Sequence, residues 1–295
     1  MKQILVFIIF IIFSSELFAV DDQKHVFKFG LVSKSKLLST FKDARDSLST
    51  WIEEIGNKHS VILDVKFFPD TEVIYDKFKK NEIDMAVLPL PFYFKNKDEL
   101  DLIGKNFWTL TFSENKYTQY YFISAKSNGY NNFSDIKNKV IAIKEYDEVS
   151  EIWLDKNSLM ENKKTYSKLI KDLIGEEKES TIVLDVFFKK ADFGIVTKKT
   201  WDVMVELNPA IGKSIEILKK SKQIHFPFIG LFHKDSEIEK VNIFFKLTTN
   251  MKKLYNSEEM LDLLKFDSIF ELDEKMLKPL EIYYKEYFNL KKKYE

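Results

Sequence analysis

The chain contains no cysteine, so a disulfide, a thiolate metal site and a cysteine nucleophile are all excluded. Glycine is scarce too, with eight residues in 295, and there is neither a Gly-x-Ser-x-Gly elbow nor a Gly-rich phosphate cradle. The four histidines (His25, His59, His225 and His233) show no metal-ligand spacing and read as surface or structural residues. Acidic pairs such as Asp147–Glu148 are too common in a chain with 31% charged residues to name a general acid and base. With no catalytic set and no cofactor motif, an enzyme is not expected. An excess of one charge is also missing: Lys+Arg and Asp+Glu are 46 each, so nothing argues for nucleic acid. Beyond the N-terminus no apolar run approaches the ~20 residues of a membrane-spanning helix.

What is present starts with that N-terminus. Met1-Lys2 carries one positive charge, Ile4 to Phe13 is unbroken apolar sequence, and Ser14-Ser15-Glu16-Leu17-Phe18-Ala19 follows. That is the pattern of a secretory signal peptide over residues 1–19, cleaved after Ala19. No lipid-attachment cysteine follows it, so a soluble protein of the periplasm is expected. The remaining length suits one large or two modest domains. The 27 Phe and 13 Tyr read first as the codon bias of an AT-rich genome, with some rings left to line a pocket.

Two stretches echo each other. Thr71 to Leu88 ends Phe78-Lys79-Lys80-Asn81-Glu82-Ile83-Asp84-Met85-Ala86-Val87-Leu88. Thr181 to Val196 ends Phe188-Lys189-Lys190-Ala191-Asp192-Phe193-Gly194-Ile195-Val196, offset by 110 residues over the helical part. In each, Thr opens an apolar segment, Phe-Lys-Lys closes it, and Asp precedes a short apolar run. The physical reading is a capped helix, a tight turn held by the Asp, and a buried strand. Two copies imply two similar α/β lobes.

This helix, Lys-rich turn, Ala-Asp-Phe-Gly-Ile-Val and following helix through Trp201 resembles the second lobe of periplasmic solute-binding proteins. The nearest resemblance is to the phosphate, phosphite and phosphonate binders of ATP-driven importers, over about Phe27 to Tyr287. In their Gly-Lys-Ala-Asp-Ala-Gly turn, Lys190 stands where the Gly would be. The resemblance implies two lobes, each a mainly parallel sheet flanked by helices, joined by a two-strand hinge. Residues 20–117 would begin lobe one, 118–217 form lobe two, and 218–295 complete lobe one with C-terminal helices. The implied function is capture of a small polar solute between lobes and delivery to a membrane permease, by a protein expected to be monomeric. A periplasmic sensor presenting its closed form to a membrane receptor would share the same fold.

Taken in order, Phe27 to Val32 reads as a strand followed by a Ser33-Lys34-Ser35 loop. A helix through Leu37, Phe41, Ala44, Leu48, Trp51, Ile52 and Ile55 is closed by Gly56. Strands over Val61–Phe68 and Met85–Leu88 complete a β-α-β-α-β unit with right-handed crossovers. Pro89-Leu90-Pro91-Phe92-Tyr93 then turns the chain at the carboxyl end of the sheet, where α/β proteins hold ligands. Tyr93 is therefore either a ligand contact or an aromatic cap on the lobe core. The crossing into lobe two falls near Thr118, with Tyr120 on the strand beyond it. Ile215–Leu218 is the strand that carries the chain back, and Ile238, Val241, Phe244, Phe245, Met251 and Leu254 form a helical core stripe.

The Lys144–Ser150 loop after the Val140–Ile143 strand is the main site candidate. Where the resembling family offers Ser and Thr hydroxyls at a helix N-terminus, this chain has Glu145, Asp147, Glu148 and Ser150. Either the acids cap the helix and face water, or they line the ligand cleft. A carboxylate ~4 Å from a bound anion costs about 4 kcal/mol at an effective dielectric of ~20, which argues against phosphate or phosphonate. Asp192 is likewise a turn bond-maker or a cleft-side acid. The candidate ligand-binding residues are thus Ser33, Ser35, Tyr93, Tyr120, Glu145, Asp147, Ser150 and Asp192, with a zwitterionic, cationic or neutral polar solute favoured.

Overall fold

The computed structural model describes residues 26–33, 44–59, 61–111, 116–226, 228–249, 251–254, 257–264 and 268–295. The signal segment and Ser35 lie outside the described residues. In the first lobe, β1 (Val26–Val32) turns Phe27, Phe29 and Leu31 to one face of the sheet. There α1 (Ala44–Lys58) covers them with Leu48, Trp51 and Ile55, which helical spacing puts on one stripe. Next come β2 (Ile62–Phe68), α2 (Thr71–Lys79) and β3 (Met85–Leu88). Strand β3 is buried on both faces, with Met85 and Val87 toward α1 and Ala86 and Leu88 toward α2. Short helices α3 (Leu90–Lys95) and α4 (Lys97–Ile103) lead into β4 (Gly104–Thr111).

The second sheet is built from β5 (Tyr120–Ala125), β6 (Val140–Lys144), β7 (Asp172–Glu176), β8 (Phe193–Thr197) and β9 (Ile215–Lys220). Helix α5 (Glu148–Asn162) links β6 to β7, and α6 (Glu179–Phe187) links β7 to β8. The pair α7 (Lys198–Leu207) and α8 (Pro209–Ser214) precedes β9. The chain then re-enters the first sheet as β10 (Ile229–His233), followed by α9 (Ile238–Thr249), α10 (Ser257–Leu264), β11 (Ser268–Glu271) and α11 (Glu274–Tyr294). The strand orders are β11-β4-β10-β3-β1-β2 and β7-β6-β8-β5-β9.

Both sheets are mixed. Parallel pairing is confined to β2-β1-β3 and β7-β6-β8, while β10 and β5 run antiparallel to β3 and β8. Topology explains the reversal. Each crossing delivers the chain to the edge where the parallel strands end, opposite Leu88 for Ile229 and opposite Thr197 for Tyr120. The entering strand must therefore run back against them.

The two sequence echoes carry the same turn chemistry. Asp84 accepts from the Lys28 backbone N–H at 2.9 Å and donates its own N–H to the Lys28 carbonyl at 3.0 Å. Asp192 does the same with Val140, at 2.9 Å in both directions. Each Asp thereby stitches the start of its strand to the central parallel strand of its sheet. The preceding helices end alike, with a left-handed residue at Asn81 (φ 55°) and Lys189 (φ 61°). The strained residue of the second turn is thus Lys189, and its neighbour Lys190 instead reaches Asp185 at 3.4 Å. Asn tolerates left-handed backbone and Lys does not. Lys189→Gly is expected to stabilise the protein by about 0.5–1 kcal/mol, with Lys190→Gly giving no gain. Thermal unfolding of the two variants checks this.

Three details of the sequence reading change. Gly56 does not close α1, which continues to Lys58, and Leu37 and Phe41 lie outside the described residues. Asp70, not Thr71, caps α2, accepting from Val73 N–H at 3.0 Å; α6 begins at Glu179, so Thr181 sits inside its first turn. The expected Ile238–Leu254 stripe is broken, since α9 ends at Thr249, a separate turn follows over Met251–Lys253, and Ile238 is 64% exposed.

The lobes meet through a continuous hydrophobic cluster. Phe78, Leu88 and Phe94 from lobe one join Phe122, Ile143, Trp153 and Phe193 from lobe two, with Leu277, Leu280 and Tyr284 of α11 among them. Polar bonds run along the same seam. Lys156 on α5 donates to the Tyr283 carbonyl and to Glu286, both at 2.9 Å, and the Tyr287 hydroxyl donates to Asp155 at 3.0 Å. The hinge is two paired segments: Thr118 N–H donates to the His225 carbonyl at 2.7 Å, and Tyr120 and Ser221 exchange bonds at 2.8 Å.

Candidate functional site

The carboxyl ends of both parallel units open on the seam above this hinge, which is where an α/β sheet holds a ligand. On the lobe-two side the site is built around Asp147. It is the N-cap of α5, accepting from Ser150 N–H at 3.4 Å, and is only 4% exposed. The Tyr120 hydroxyl donates to its carboxylate, 3.1 Å from each oxygen. The Ser150 hydroxyl turns back to the Asp147 carbonyl at 2.9 Å. Asp147 therefore caps the helix yet does not face water. A carboxylate occupies the helix N-terminus that an oxyanion would use, and the nearby hydroxyls are already bonded.

Its neighbours shape the wall. Tyr146 is 48% exposed and left-handed (φ 56°), an unusual backbone for a bulky residue. Glu148 is solvent-accessible yet surrounded by protein, as expected on a concave surface. Its carboxyl is raised above the ordinary range, by desolvation first and then by Glu151 and Asp147. Glu145 sits at the end of β6, its N–H bonded to the Glu176 carbonyl at 3.0 Å and its side chain against Gly175. At the end of β8, Glu179 collects the hydroxyls of Thr197 and Thr200 at 2.5 and 2.6 Å. That acid–hydroxyl group had no sequence signal beyond common residue types.

The other sequence candidates are dispersed. Ser33 lies at the carboxyl end of β1, its N–H on the Phe68 carbonyl at 2.8 Å, hence on the cleft edge of lobe one. Tyr93 is 1% exposed, and its hydroxyl donates to Asp101 at 2.6 Å, so it is committed to the packing of lobe one. Asp192 accepts from Tyr130 and from Val140 N–H, both at 2.9 Å, which fixes it at the opposite, amino end of the second sheet. Tyr120, Asp147 and Ser150 are brought together; Asp192 is not with them.

Three residues outside the sequence candidates stand at the hinge floor: His225, which reads as a surface or structural histidine, with Tyr283 and Tyr284. His225 is 0% exposed and neither ring nitrogen has a hydrogen-bond partner. Its ring lies 5.9 Å from Tyr120 and 4.9 Å from Tyr283. The hydroxyls of Tyr283 and Tyr284 are also buried without partners. Burial first, and then the nearby Lys156 ammonium, pushes the His225 imidazole down to about 3, so it is neutral at physiological pH. The signal for His225 was positional: the return hinge segment must run beside Thr118, and whatever side chain it carries there faces the seam.

A cavity of about 130 Å³ lies elsewhere, inside lobe one between its sheet and helices α1 and α9, and shows only apolar surface from residues such as Phe29, Trp51, Val87 and Phe244. It offers nothing to a polar solute. Among the described residues no group of three or more acidic or His side chains could hold a metal ion, and no helix is long and apolar enough to cross a membrane.

Two α/β lobes, a paired two-segment hinge and a polar seam at the strand ends define a periplasmic-binding-protein fold. Residues 38–275 match the model of the phosphonate ABC transporter periplasmic substrate-binding protein family, and the chain belongs to that family. It is a family of transport proteins that carry a small solute to a membrane permease, not a class of enzymes. No curated protein sequence matches the chain. A Xanthomonas citri protein solved bound to ATP is similar in structure, with TM-score 0.64 and 10% identity over 92% of this chain and 100% of that one. A binding protein component of an ABC phosphonate transporter from Pseudomonas aeruginosa gives 0.59 and 13% over 89% and 87%. A Prochlorococcus marinus protein in complex with methylphosphonate gives 0.57 and 14% over 90% and 98%. At these identities the likeness is one of fold.

Proposed function

We propose that this substrate-binding protein closes its lobes on a small polar solute at the seam around Tyr120 and Asp147, and that the solute is not a simple dianionic oxyanion. The lobe from about residue 118 to the end of β9 at Lys220 swings against the rest, and the ligand shifts the equilibrium by binding the closed state more tightly. The protein is exported with residues 1–19 removed and works as a monomer in the periplasm.

One observation carries the ligand reading. The α5 N-terminus is already filled by the buried carboxylate of Asp147, with Glu148 beside it. A phosphate or phosphonate there would meet two acids and find the Ser150 hydroxyl spent. The methylphosphonate complex of the Prochlorococcus marinus relative shows that the fold can take such a ligand; the departure lies in this chain's own loop. Calorimetry with phosphate, phosphite and methylphosphonate is expected to give no Kd tighter than about millimolar. The double change Asp147→Ser, Glu148→Thr keeps a capping side chain and removes two charges. It should improve anion affinity by roughly 2 kcal/mol for a charge some ~7 Å away at a dielectric of ~20, on the order of thirtyfold. Sub-micromolar binding by the unaltered protein would overturn this reading.

A further inference from the structure

Buried polar groups in folded proteins are nearly always bonded, and each one left unmade costs stability. Three such groups stand together at the hinge floor: the His225 ring, with both nitrogens unpartnered, and the hydroxyls of Tyr283 and Tyr284. His225 and Tyr284 are both 0% exposed. They are linked ring to ring, His225 to Tyr283 at 4.9 Å and Tyr283 to Tyr284 at 5.3 Å, with Tyr120 5.9 Å from His225. Three unmet groups on two separate chain segments converge beside Asp147, and a ligand group that reaches the floor would supply the partners they lack.

The charges around the floor limit what that group is. On one side stands the buried carboxylate of Asp147, 3.1 Å from the Tyr120 hydroxyl. On the other is the Lys156 ammonium, 3.7 Å above the Tyr283 ring and 2.9 Å from Glu286. Asp147 disfavours an anion, while the Lys156 ammonium, already paired with Glu286 and bonded to the Tyr283 carbonyl, offers an anion little in return and gives a cation no partner on that side. Between them lie neutral groups able both to donate and to accept, an imidazole and phenols, set among the faces of Tyr120, Trp153 and Phe94. Aromatic faces with amphoteric hydrogen-bonding groups suit a ring bearing hydroxyls.

Resting on the solute-binding reading above, we propose that His225, Tyr283 and Tyr284 form the inner end of the ligand site and receive an uncharged, hydroxylated ring. A free polyol and the ribose of a nucleoside share this chemistry.

The test is thermal unfolding and calorimetry of the mature protein with myo-inositol, D-ribose and adenosine, alongside methylphosphonate and putrescine as anionic and cationic probes, in wild type, Tyr284→Phe and His225→Phe. At least one neutral probe is expected to raise the wild-type midpoint and bind, with a Kd at least tenfold weaker in Tyr284→Phe. Adenosine binding without ribose or inositol binding assigns the nucleoside source; the reverse assigns the free polyol. The ligand-free Tyr284→Phe protein should unfold at or above the wild-type midpoint, because the hydroxyl removed had no partner. A purely structural Tyr284 would show the opposite, with a lower midpoint and unchanged affinity, and that result overturns the inference. So does stabilisation by methylphosphonate or putrescine alone, which leaves solute binding itself standing. Absence of any effect from all three neutral probes overturns it too. Should His225→Phe fail to fold, the Tyr284→Phe comparison decides alone.

Discussion

Gly230→Ala is expected to cost about 3 kcal/mol or more, at the upper end for overpacking a core. Gly230 lies in β10 between β3 and β4, and a Cβ built on it would fall 2.0, 2.3 and 2.5 Å from Cε2, Cζ2 and Cδ2 of Trp108. The indole therefore lies directly on the glycine backbone. It has nowhere to retreat, because Trp108 is 4% exposed and wedged against Phe228 and Phe244 at 5.9 and 5.1 Å. Relief requires shifting either the central strand or the indole, and both are packed. Chemical denaturation of Gly230→Ala, Trp108→Leu and the double variant forms a cycle. The double variant is expected to be more stable than the sum of the single losses, since the smaller side chain leaves room for the methyl. Strict additivity would show that the clash is not the cause.

Acid should destabilise the protein through His225 specifically. The folded-state imidazole titrates at about 3 against 6.5 in the unfolded chain, chiefly because burial opposes its charge. Its contribution is fully present above 6.5 and is lost as pH falls, because the unfolded state takes up the proton first. The slope is about 1.4 kcal/mol per pH unit below 6.5, so roughly 3 kcal/mol is gone near pH 4. Glu148 acts with the opposite sign, since its raised carboxyl is protonated earlier in the folded state and relieves a cost as pH falls. Comparing wild type with His225→Phe isolates the histidine. Near neutrality the variant should be at least as stable as wild type, because the ring nitrogens it removes have no partners, and its advantage should widen below pH 6.5. Parallel curves would show that His225 reaches a proton-stabilising partner.

The features legible in the sequence were the local ones. Asp84 and Asp192 could be paired as equivalent turn residues because each sits between an apolar helix and a four- or five-residue buried strand, and their identical backbone bonds follow from that order. The strands that enter and leave lobe two were legible for the same reason: Gln119–Ala125 and Ile215–Leu218 read as strands, and in the structure they are β5 and β9, paired with each other. The antiparallel half of each sheet was hidden, because direction depends on which edge the crossing chain arrives at. The acidic loop was found, but not what it does. Burial of Asp147 depends on Tyr120, well before it in the chain, and the floor beneath it depends on His225 and Tyr284, far after it. No local pattern marks a His or a Tyr as unpartnered. Tyr93 and Asp192 attracted notice as polar groups near strand ends, and each proves to have its bonds satisfied within its own lobe.

The most direct measurement is native mass spectrometry of the mature protein taken from the periplasmic fraction. A 1:1 non-covalent adduct is expected, released on denaturation, whose accurate mass contains no phosphorus. A stoichiometric phosphate, phosphite or phosphonate adduct on the unaltered chain would contradict the account, because it would place a dianion beside Asp147.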